Sequence, residues 1–99
     1  MRISPQTIAV LNALQKSSKG WTHGYELSKV TGLKSGTLYP ILVRLHDEGW
    51  LEAKWEPSRE QGRPPRHLYR ITAAGSSESK EILQLGEAKR RTQRLAYER

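Results

Sequence analysis

The chain has 99 residues, no cysteine and a net charge of +7, so it has room for one small domain and excludes a disulfide framework and thiolate metal sites. No stretch approaches the ~20 consecutive apolar residues that span a bilayer, and residues 1–5 lack the apolar core of a secretion signal, which predicts a cytoplasmic location without a membrane partner. The positive charge is spread along the chain and favours nucleic acid as a partner.

The first predicted helix begins with Ser4 as its N-cap and Pro5 in its first turn. Apolar residues at helical spacing continue it to about residue 15, namely Ile8, Val10, Leu11 and Leu14. We expect residues 17–20 to end it, with Gly20 at the C-terminal cap. Trp21 is then expected to anchor the following loop in the core.

A short second helix is predicted over residues 24–30, with Thr22 or His23 as its cap. Its buried side would consist of Tyr25, Leu27 and Val30. Residues 31–34 contain a glycine and have the length of the turn that joins two steeply crossing helices, as in a helix-turn-helix.

The third predicted helix covers residues 35–48 and ends at Gly49. Its buried face follows an i, i+3, i+4, i+7 pattern, formed by Leu38, Ile41, Leu42 and Leu45. Pro40 lies inside this helix. Because it is close to the N-terminal turns, it removes at most one hydrogen bond, and only a local bend is expected.

From residue 50 onward the apolar period changes to two, which predicts a β-hairpin. One face of the first strand would carry Leu51, Ala53 and Trp55. Residues 57–65 contain Gly62 and three of the five prolines and are predicted to form a loop. The return strand, about 66–71, would place Tyr69 and Ile71 on one face and Arg66, Leu68 and Arg70 on the other. The hairpin therefore has a basic tip, formed by Arg59, Arg63 and Arg66.

Thr72 is predicted to cap a last helix that runs towards the C-terminus. A thin apolar stripe follows this helix and consists of Ile82, Leu85, Ala88, Leu95 and Ala96. The opposite side is charged. The stripe requires a cover, so the pattern predicts self-association through this helix, with docking on the chain's own first helix as the alternative.

The order of these elements indicates a mainly α fold with a small β-hairpin, which is a winged helix-turn-helix followed by a long C-terminal helix. Residues 1–75 would form the DNA-binding domain and residues 76–99 the dimerisation helix. A helix-turn-helix inserts the N-terminal part of its second helix into the major groove of double-stranded DNA. In this chain that helix is the third predicted helix.

The residues expected to contact DNA lie at the start of the third helix and in the hairpin. On the helix they are Lys34, Ser35, Gly36, Thr37, Tyr39, Pro40 and Arg44. On the hairpin they are Arg59, Arg63 and Arg66, which are expected at phosphates. Structural roles are the alternative: a helix cap for residues 35–37, packing under the hairpin for Tyr39, an ion pair with Asp47 or Glu48 for Arg44, and ordinary solvation for the hairpin arginines.

An enzyme is a poor fit to this sequence. His23, His46 and His67 lie on separate elements without metal-ligand spacing, and the chain contains no nucleophile elbow, P-loop or dinucleotide fingerprint. No catalytic residue, metal site or cofactor is therefore predicted. The alternative to DNA binding is a winged helix that docks on another protein, since a fold does not fix a function. RNA is a weaker alternative, because A-form grooves do not readily admit a helix.

Three segments stand out when they are taken together. They are Gly24-Tyr25-Glu26-Leu27; Ser35-Gly36-Thr37-Leu38-Tyr39-Pro40-Ile41-Leu42 with Leu45 and Gly49; and Gly62-Arg63-Pro64-Pro65-Arg66 with Tyr69-Arg70-Ile71-Thr72-Ala73-Ala74-Gly75. In this order, over roughly residues 5–75, they resemble the PadR family of bacterial transcriptional regulators.

The resemblance implies a winged helix-turn-helix that binds operator DNA as a homodimer, usually as a repressor. It places the start of the recognition helix at residues 35–40, the wing at residues 62–66 and dimerisation in residues 76–99. Some members of the family sense flat aromatic compounds at the dimer interface. Tyr97 is the only aromatic residue after Tyr69, so the sequence gives little support for a small-molecule effector there.

Overall fold

The structure, a computed structural model, describes residues 3–17, 20–57, 62 and 66–97, with side chains described up to residue 86. Its elements, in chain order, are α1 (Pro5–Lys16), β1 (Thr22–His23), α2 (Gly24–Thr31), α3 (Ser35–Asp47), β2 (Leu51–Glu56), β3 (Arg66–Ile71) and α4 (Ala73–Tyr97). None of the helices in these ranges is long and apolar enough to cross a membrane. The predicted fold class, mainly α with a hairpin, is confirmed.

Local capping chemistry defines both ends of α1. The Ser4 hydroxyl accepts a hydrogen bond from the Thr7 amide at 3.1 Å, and Pro5 occupies the first turn, as predicted. The helix ends at Lys16, close to the predicted end, but the expectation that Gly20 is its cap is wrong, because Ser17 takes that position. The amide of Ser17 donates to the Leu14 carbonyl at 3.2 Å and ends the helix before that glycine is reached.

The sheet has three strands rather than the two of the predicted hairpin. The two residues of β1 pair antiparallel with β3, Thr22 opposite Tyr69 and His23 opposite Leu68, so that the strand order is β1-β3-β2. A strand of two residues is too short to produce an alternating pattern. It therefore forms only because β3 offers a free edge.

Two tryptophans differ from their expected burial. Trp55 shares a face of the sheet with Leu51 and Ala53 but is 65% exposed, because that end of the hairpin extends beyond the core. Trp21 is half-buried and lies outside the main core cluster, and the cations of Lys54 and Arg70 lie 4.3 and 4.5 Å from the centre of its ring. Contacts of this kind stabilise an aromatic ring at the surface.

The opposite face of β3 is less polar than the sequence suggested. Leu68 is buried there, outside the main core cluster, between Lys54 on one neighbouring strand and His23 on the other. Tyr69 and Ile71 face the core, as expected.

The second helix buries less than predicted. Leu27 is in the core, but Tyr25 is 71% exposed and Val30 is also exposed. The burial predicted for these two residues is therefore wrong. An eight-residue helix has room for one narrow contact face, which Gly24 and Leu27 occupy. His23 takes the N-cap position, and Gly32, with a φ of 74°, makes the left-handed turn that leads to α3.

The third helix anchors the core as predicted. Its stripe of leucine and isoleucine is buried against α1, α2 and the sheet, and consists of Leu38, Ile41, Leu42 and Leu45. The helix ends at Asp47, one residue before the predicted end, and Gly49 follows in a left-handed conformation with a φ of 78°.

The last helix starts directly after Thr72, whose predicted role as its cap is confirmed. Its hydroxyl accepts from the Gly75 amide at 3.0 Å and donates to the Gly49 carbonyl at 2.8 Å. The first turns of α4 pack on α1, where the Gln15 side-chain amide donates to the Ser76 carbonyl at 2.6 Å. Docking on the chain's own first helix, the alternative considered above, is therefore present in this part of α4.

The predicted apolar stripe of α4 divides into parts with different surroundings. Ile82 packs against the core, whereas Leu85 is 65% exposed. Ala88, Leu95 and Ala96 lie outside the residues whose side chains the structure describes.

Candidate nucleic-acid interface

The outward side of α3 is an exposed strip opposite the leucine stripe. At 100° per residue, the positions that point most directly away from the core are Gly36, Pro40, Val43 and Asp47, and all four are exposed. Lys34, Ser35, Thr37, Tyr39 and Arg44 are exposed as well. All of the predicted helix residues are thus accessible from outside.

Val43 is a member of this strip that the sequence prediction missed. It is 58% exposed although it lies among apolar neighbours in the sequence. Its position relative to Gly36 (i+7) and Pro40 (i+3) was the available signal. An apolar side chain at this place is suited to contact the methyl group of thymine.

The start of α3 presents backbone donors to the outside. The amides of Thr37 and Leu38 bond to the Lys34 carbonyl at 3.0 and 2.9 Å, whereas the amides of Ser35 and Gly36 precede the first turn that helix geometry can satisfy. Gly36 has no described atom within 4 Å of the place where a β-carbon would be. This helix start can therefore approach an anion closely.

Tyr39 lies to the side of the exposed strip. Its hydroxyl packs against Gly24, where a β-carbon would come within 2.7 Å of it. The same ring borders a cleft whose other walls include Trp55 and Arg66. Tyr39 thus connects the recognition helix to the first turn of α2 and to the base of the hairpin, the alternative position considered for it above.

The hairpin contributes one described arginine to this region. Arg66, the first residue of β3, is exposed and lies opposite Glu56 of β2. Arg59 and Arg63 lie outside the described residues, so their predicted place at the tip stays a prediction. Among the described residues, no group of three or more His, Cys, Asp or Glu side chains is placed to hold a metal ion.

An aromatic ladder that the sequence prediction did not identify supports the base of the hairpin. Trp55 and His67 are stacked, with ring centres 4.2 Å apart and planes 3° from parallel. A hydrogen bond of 2.9 Å joins Nδ1 of His67 to the Tyr69 hydroxyl. His67 and Tyr69 are two residues apart on the same strand, but Trp55 joins them only through the register of β2 on β3, which a single strand's periodicity does not reveal.

Burial also changes the acidity of this ladder. Burial, and to a smaller extent the neighbouring Tyr39, raises the pKa of Tyr69 from 10.0 to about 12. The phenol therefore stays protonated to a higher pH than an exposed tyrosine does, and so remains able to donate a hydrogen bond there.

Replacing Tyr69 with phenylalanine should remove part of the stability loss at high pH. The folded state holds the phenolic proton more tightly than the unfolded chain, so the contribution of Tyr69 is complete below pH 10 and falls as the pH rises towards 12. At pH 11.5 the loss is about 2 kcal/mol relative to pH 9. Urea unfolding of both proteins at these two pH values measures it. Equal losses in both proteins would mean that Tyr69 is not held neutral by the fold.

Residues 10–81 match the sequence model of the family described as "Transcriptional regulator PadR-like family". No curated protein gives a significant sequence match.

Several solved structures share the fold. A PadR-like transcription factor from Bacteroides fragilis is 23% identical, with a TM-score of 0.74 over 91% of this chain and 87% of the other. A PadR family regulator from Eggerthella lenta is 27% identical, with a TM-score of 0.70 over 88% and 80% of the two chains.

A solved structure at lower sequence identity is that of a regulator with a named small-molecule effector. BpsR of Bordetella bronchiseptica, whose DNA binding is regulated by 6-hydroxynicotinic acid, is 18% identical, with a TM-score of 0.72 over 91% of this chain. The match covers 64% of BpsR, so the chain corresponds to part of that protein, and at this identity the similarity concerns the fold alone.

Proposed function

Because the chain belongs to the transcriptional regulator PadR-like family, we propose that it represses transcription as a homodimer bound to an inverted-repeat operator. Residues 1–75 contact DNA and residues 76–99 complete the dimer. In such a dimer the two recognition helices enter major grooves about 34 Å apart, one helical turn of DNA. Membership of this family itself makes the chain a DNA-binding transcriptional regulator.

One observation carries this proposal. Tyr39 of α3 and Arg66 of β3 line the same cleft, so the recognition helix and the base of the wing lie side by side. The N-terminal end of α3 is exposed next to them. The exposed strip of α3 lies on the side opposite the buried leucine stripe. A surface that presents a helix start and a cation together fits a duplex, which offers base edges and phosphates at neighbouring places.

The residues divide into two roles in the proposed complex. Lys34, the backbone at Ser35 and Gly36, and the wing arginines bind phosphates and set the position of the protein. Thr37, Pro40, Val43 and Arg44 face the groove and distinguish base pairs, Val43 and Pro40 by apolar contact and Arg44 by bonding to guanine.

Replacing both Arg63 and Arg66 with alanine should weaken binding to every DNA sequence alike. Each lost phosphate contact lowers the slope of log affinity against log salt by about 0.9, so a reduction of about 1.8 is expected. Fluorescence anisotropy with one operator duplex and one random duplex, between low and physiological salt, measures this slope.

Lys54→Ala combined with Arg70→Ala is the matched control, because it removes the same charge from the same hairpin. Arg70 is paired with Glu52 at 2.8 Å, and both cations lie over Trp21. The control should retain the salt slope. An unchanged slope in the Arg63 and Arg66 variant would contradict the wing assignment, and a wild-type chain that binds no duplex would favour the docking-module alternative.

The proposed dimer depends on the exposed part of α4. Leu85 is 65% exposed on a 25-residue helix whose first turns already cover α1. A second copy of this helix is the partner that would cover both leucines at once, since a two-fold interface pairs the same patch with itself.

Leu85→Ser should raise the dimer dissociation constant by at least about tenfold, because each copy loses the burial of one leucine side chain. Sedimentation velocity over a concentration series measures the constant. Gln84→Ser, at the neighbouring exposed position, is the control and should dimerise normally. A wild-type protein that sediments as a monomer over the whole series would contradict the dimer.

A small-molecule effector is a further part of the proposed function. Its support is BpsR, whose DNA binding is regulated by 6-hydroxynicotinic acid. By analogy, an effector of this chain would change the affinity for the operator rather than the fold. Titrating compounds like 6-hydroxynicotinic acid into the complex of this chain with its operator tests for an effector separately from DNA binding itself.

A further inference from the structure

An open cleft lies between the first turn of α2, the recognition helix and the base of the wing. We call it the hairpin cleft. Its lining includes Tyr25 and Glu26 of α2, Tyr39 of α3, Trp55 of β2, and Arg66 and His67 of β3. His67 is half-buried there and is the one lining residue of β3 whose residue type changes charge near neutral pH.

The fold holds the His67 ring in a way that suits both of its protonation states. The ring is stacked on Trp55, with centres 4.2 Å apart, and an indole face attracts a cation. Nδ1 lies 2.9 Å from the Tyr69 hydroxyl. A phenol donates to a neutral imidazole nitrogen and accepts from a protonated one, and a pKa of about 12 keeps Tyr69 in the form that can do both. Protonation of His67 therefore breaks neither contact.

The charges around His67 do not include a fixed counter-ion for its protonated ring. None of the ion pairs among the described residues involves His67, and the Glu56 carboxylate lies 3.7 Å from Nε2 of His23 instead. The titratable and charged groups on the elements packed around it are Tyr25 and Glu26 on α2, Tyr39 on α3, Glu56 on β2, His23 on β1, and Arg66 and Tyr69 on its own strand. An anion that enters the cleft would thus be the counter-ion of His67.

Bound DNA would bring such an anion to this place. An α-helix is about 10–12 Å across and fills a major groove about 12 Å wide, so the elements beside the helix face the backbone strand that borders the groove. Tyr39 of α3 is a wall of the hairpin cleft, and Arg66 lines its β3 side. A phosphate next to His67 favours the protonated imidazole, because an opposite charge at short range stabilises the charged form.

We propose that His67 binds a backbone phosphate of the operator in its protonated form, so that DNA binding takes up protons and strengthens as the pH falls. The proposal rests on the proposed function, because it requires that the operator lies on α3 and the wing. The sign follows from linkage. The complex holds more protons than the free chain and free DNA, so affinity is lost as the pH rises through the range in which histidine titrates.

The experiment measures the affinity of the full chain for a fluorescein-labelled duplex of random sequence, by anisotropy at about pH 8 and about pH 6. A duplex of about 25 base pairs holds two half-sites one turn apart, and phosphate contacts do not depend on sequence. For each bound copy of the chain we expect affinity to be about three- to tenfold higher at the lower pH. The slope of log affinity against log salt should also be steeper by about 0.9.

Two substitutions separate the charge of His67 from its packing. His67→Phe keeps a ring for Trp55 to stack on but takes up no proton, so the pH dependence should be lost and the affinity should stay at the wild-type value of the higher pH. His67→Lys carries its charge at both pH values and should bind at the higher pH about as tightly as the wild type does at the lower one. A purely structural role of His67 would not produce this gain.

His46→Gln is the matched control. It removes an imidazole from the last turn of the recognition helix, where His46 lies 4.0 Å from the Asp47 carboxylate and is exposed. The variant should keep the pH dependence and the salt slopes of the wild type.

A measurement on the unmodified chain decides the case in which a variant fails to fold. Imidazole signals in ¹H–¹³C spectra report the protonated fraction of each histidine, and contacts with the Trp55 ring identify His67. Near neutral pH, addition of the duplex should raise the protonated fraction of His67 by more than that of His46.

Duplex binding of equal affinity at both pH values would overturn the proposal and leave the proposed function intact. Wild-type pH dependence in the His67→Phe variant, or an unchanged protonated fraction of His67 in the bound state, would have the same meaning. If the chain binds no duplex at either pH, the proposed function itself fails, and the role of His67 fails with it.

Discussion

Replacing Gly75 with alanine should lower the free energy of unfolding by about 1–3 kcal/mol, the usual cost of forcing extra atoms into a packed site. A β-carbon at this position would meet the carbonyl oxygen of Trp50 and, at 2.8 Å, its carbonyl carbon and α-carbon. These are backbone atoms, so they cannot move aside as the end of a side chain would. Urea unfolding followed by circular dichroism measures the change.

Gly86→Ala is the matched control, because it makes the same replacement in the same helix. No described atom lies within 4 Å of its β-carbon position, so only the helix propensity changes and stability should rise by up to about 1 kcal/mol. The two variants should therefore differ in sign. Equal effects would show that α4 does not pack on the Trp50 backbone as described.

Leu38→Ala should cost about 2–5 kcal/mol of unfolding free energy. The side chain is fully buried at the inner side of the recognition helix, within the main core cluster. Its removal leaves a cavity between α3 and the rest of the domain. Denaturant unfolding at low protein concentration separates this effect from any contribution of dimerisation.

Val43→Ala, on the same helix, should give the opposite pattern. Val43 is 58% exposed, so stability should change by no more than about 0.5 kcal/mol. If Val43 faces the groove as proposed, operator affinity should fall and the preference for its contacted base pair should relax. A Leu38→Ala variant as stable as Val43→Ala would contradict the orientation of α3.

The features that the sequence predicted well are those with local causes. Ser4 and Thr72 cap helices through hydrogen bonds to amides three residues away, and the leucine stripe of α3 follows from helical periodicity alone. For the same reason, the helix residues expected to contact DNA are all exposed, and their contact with DNA stays a prediction.

The features that the sequence missed depend on partners far away in the chain. The pairing of β1 depends on an edge provided by β3, some forty-five residues later by their register. The burial of an aromatic side chain depends on how far the neighbouring elements extend, as it does for Tyr25, Trp21 and Trp55. Aromatic residues occur both in the core and at the surface, so the residue type alone does not predict burial. The cleft bordered by Tyr39, Trp55 and Arg66 combines three segments of this kind and was therefore beyond prediction from periodicity.

The hydrogen bonds of Thr72 give the molecule a mechanical property. They connect the end of α3, at Gly49, to the beginning of α4, which is a helix of 25 residues or about 37 Å. A rotation of only about 5° at this hinge moves the far end of such an arm by about 3 Å, which is close to the rise of one base pair. In the proposed dimer, the stiffness of this junction, together with the packing of the first turns of α4 on α1, would therefore set how many base pairs separate the two halves of an operator.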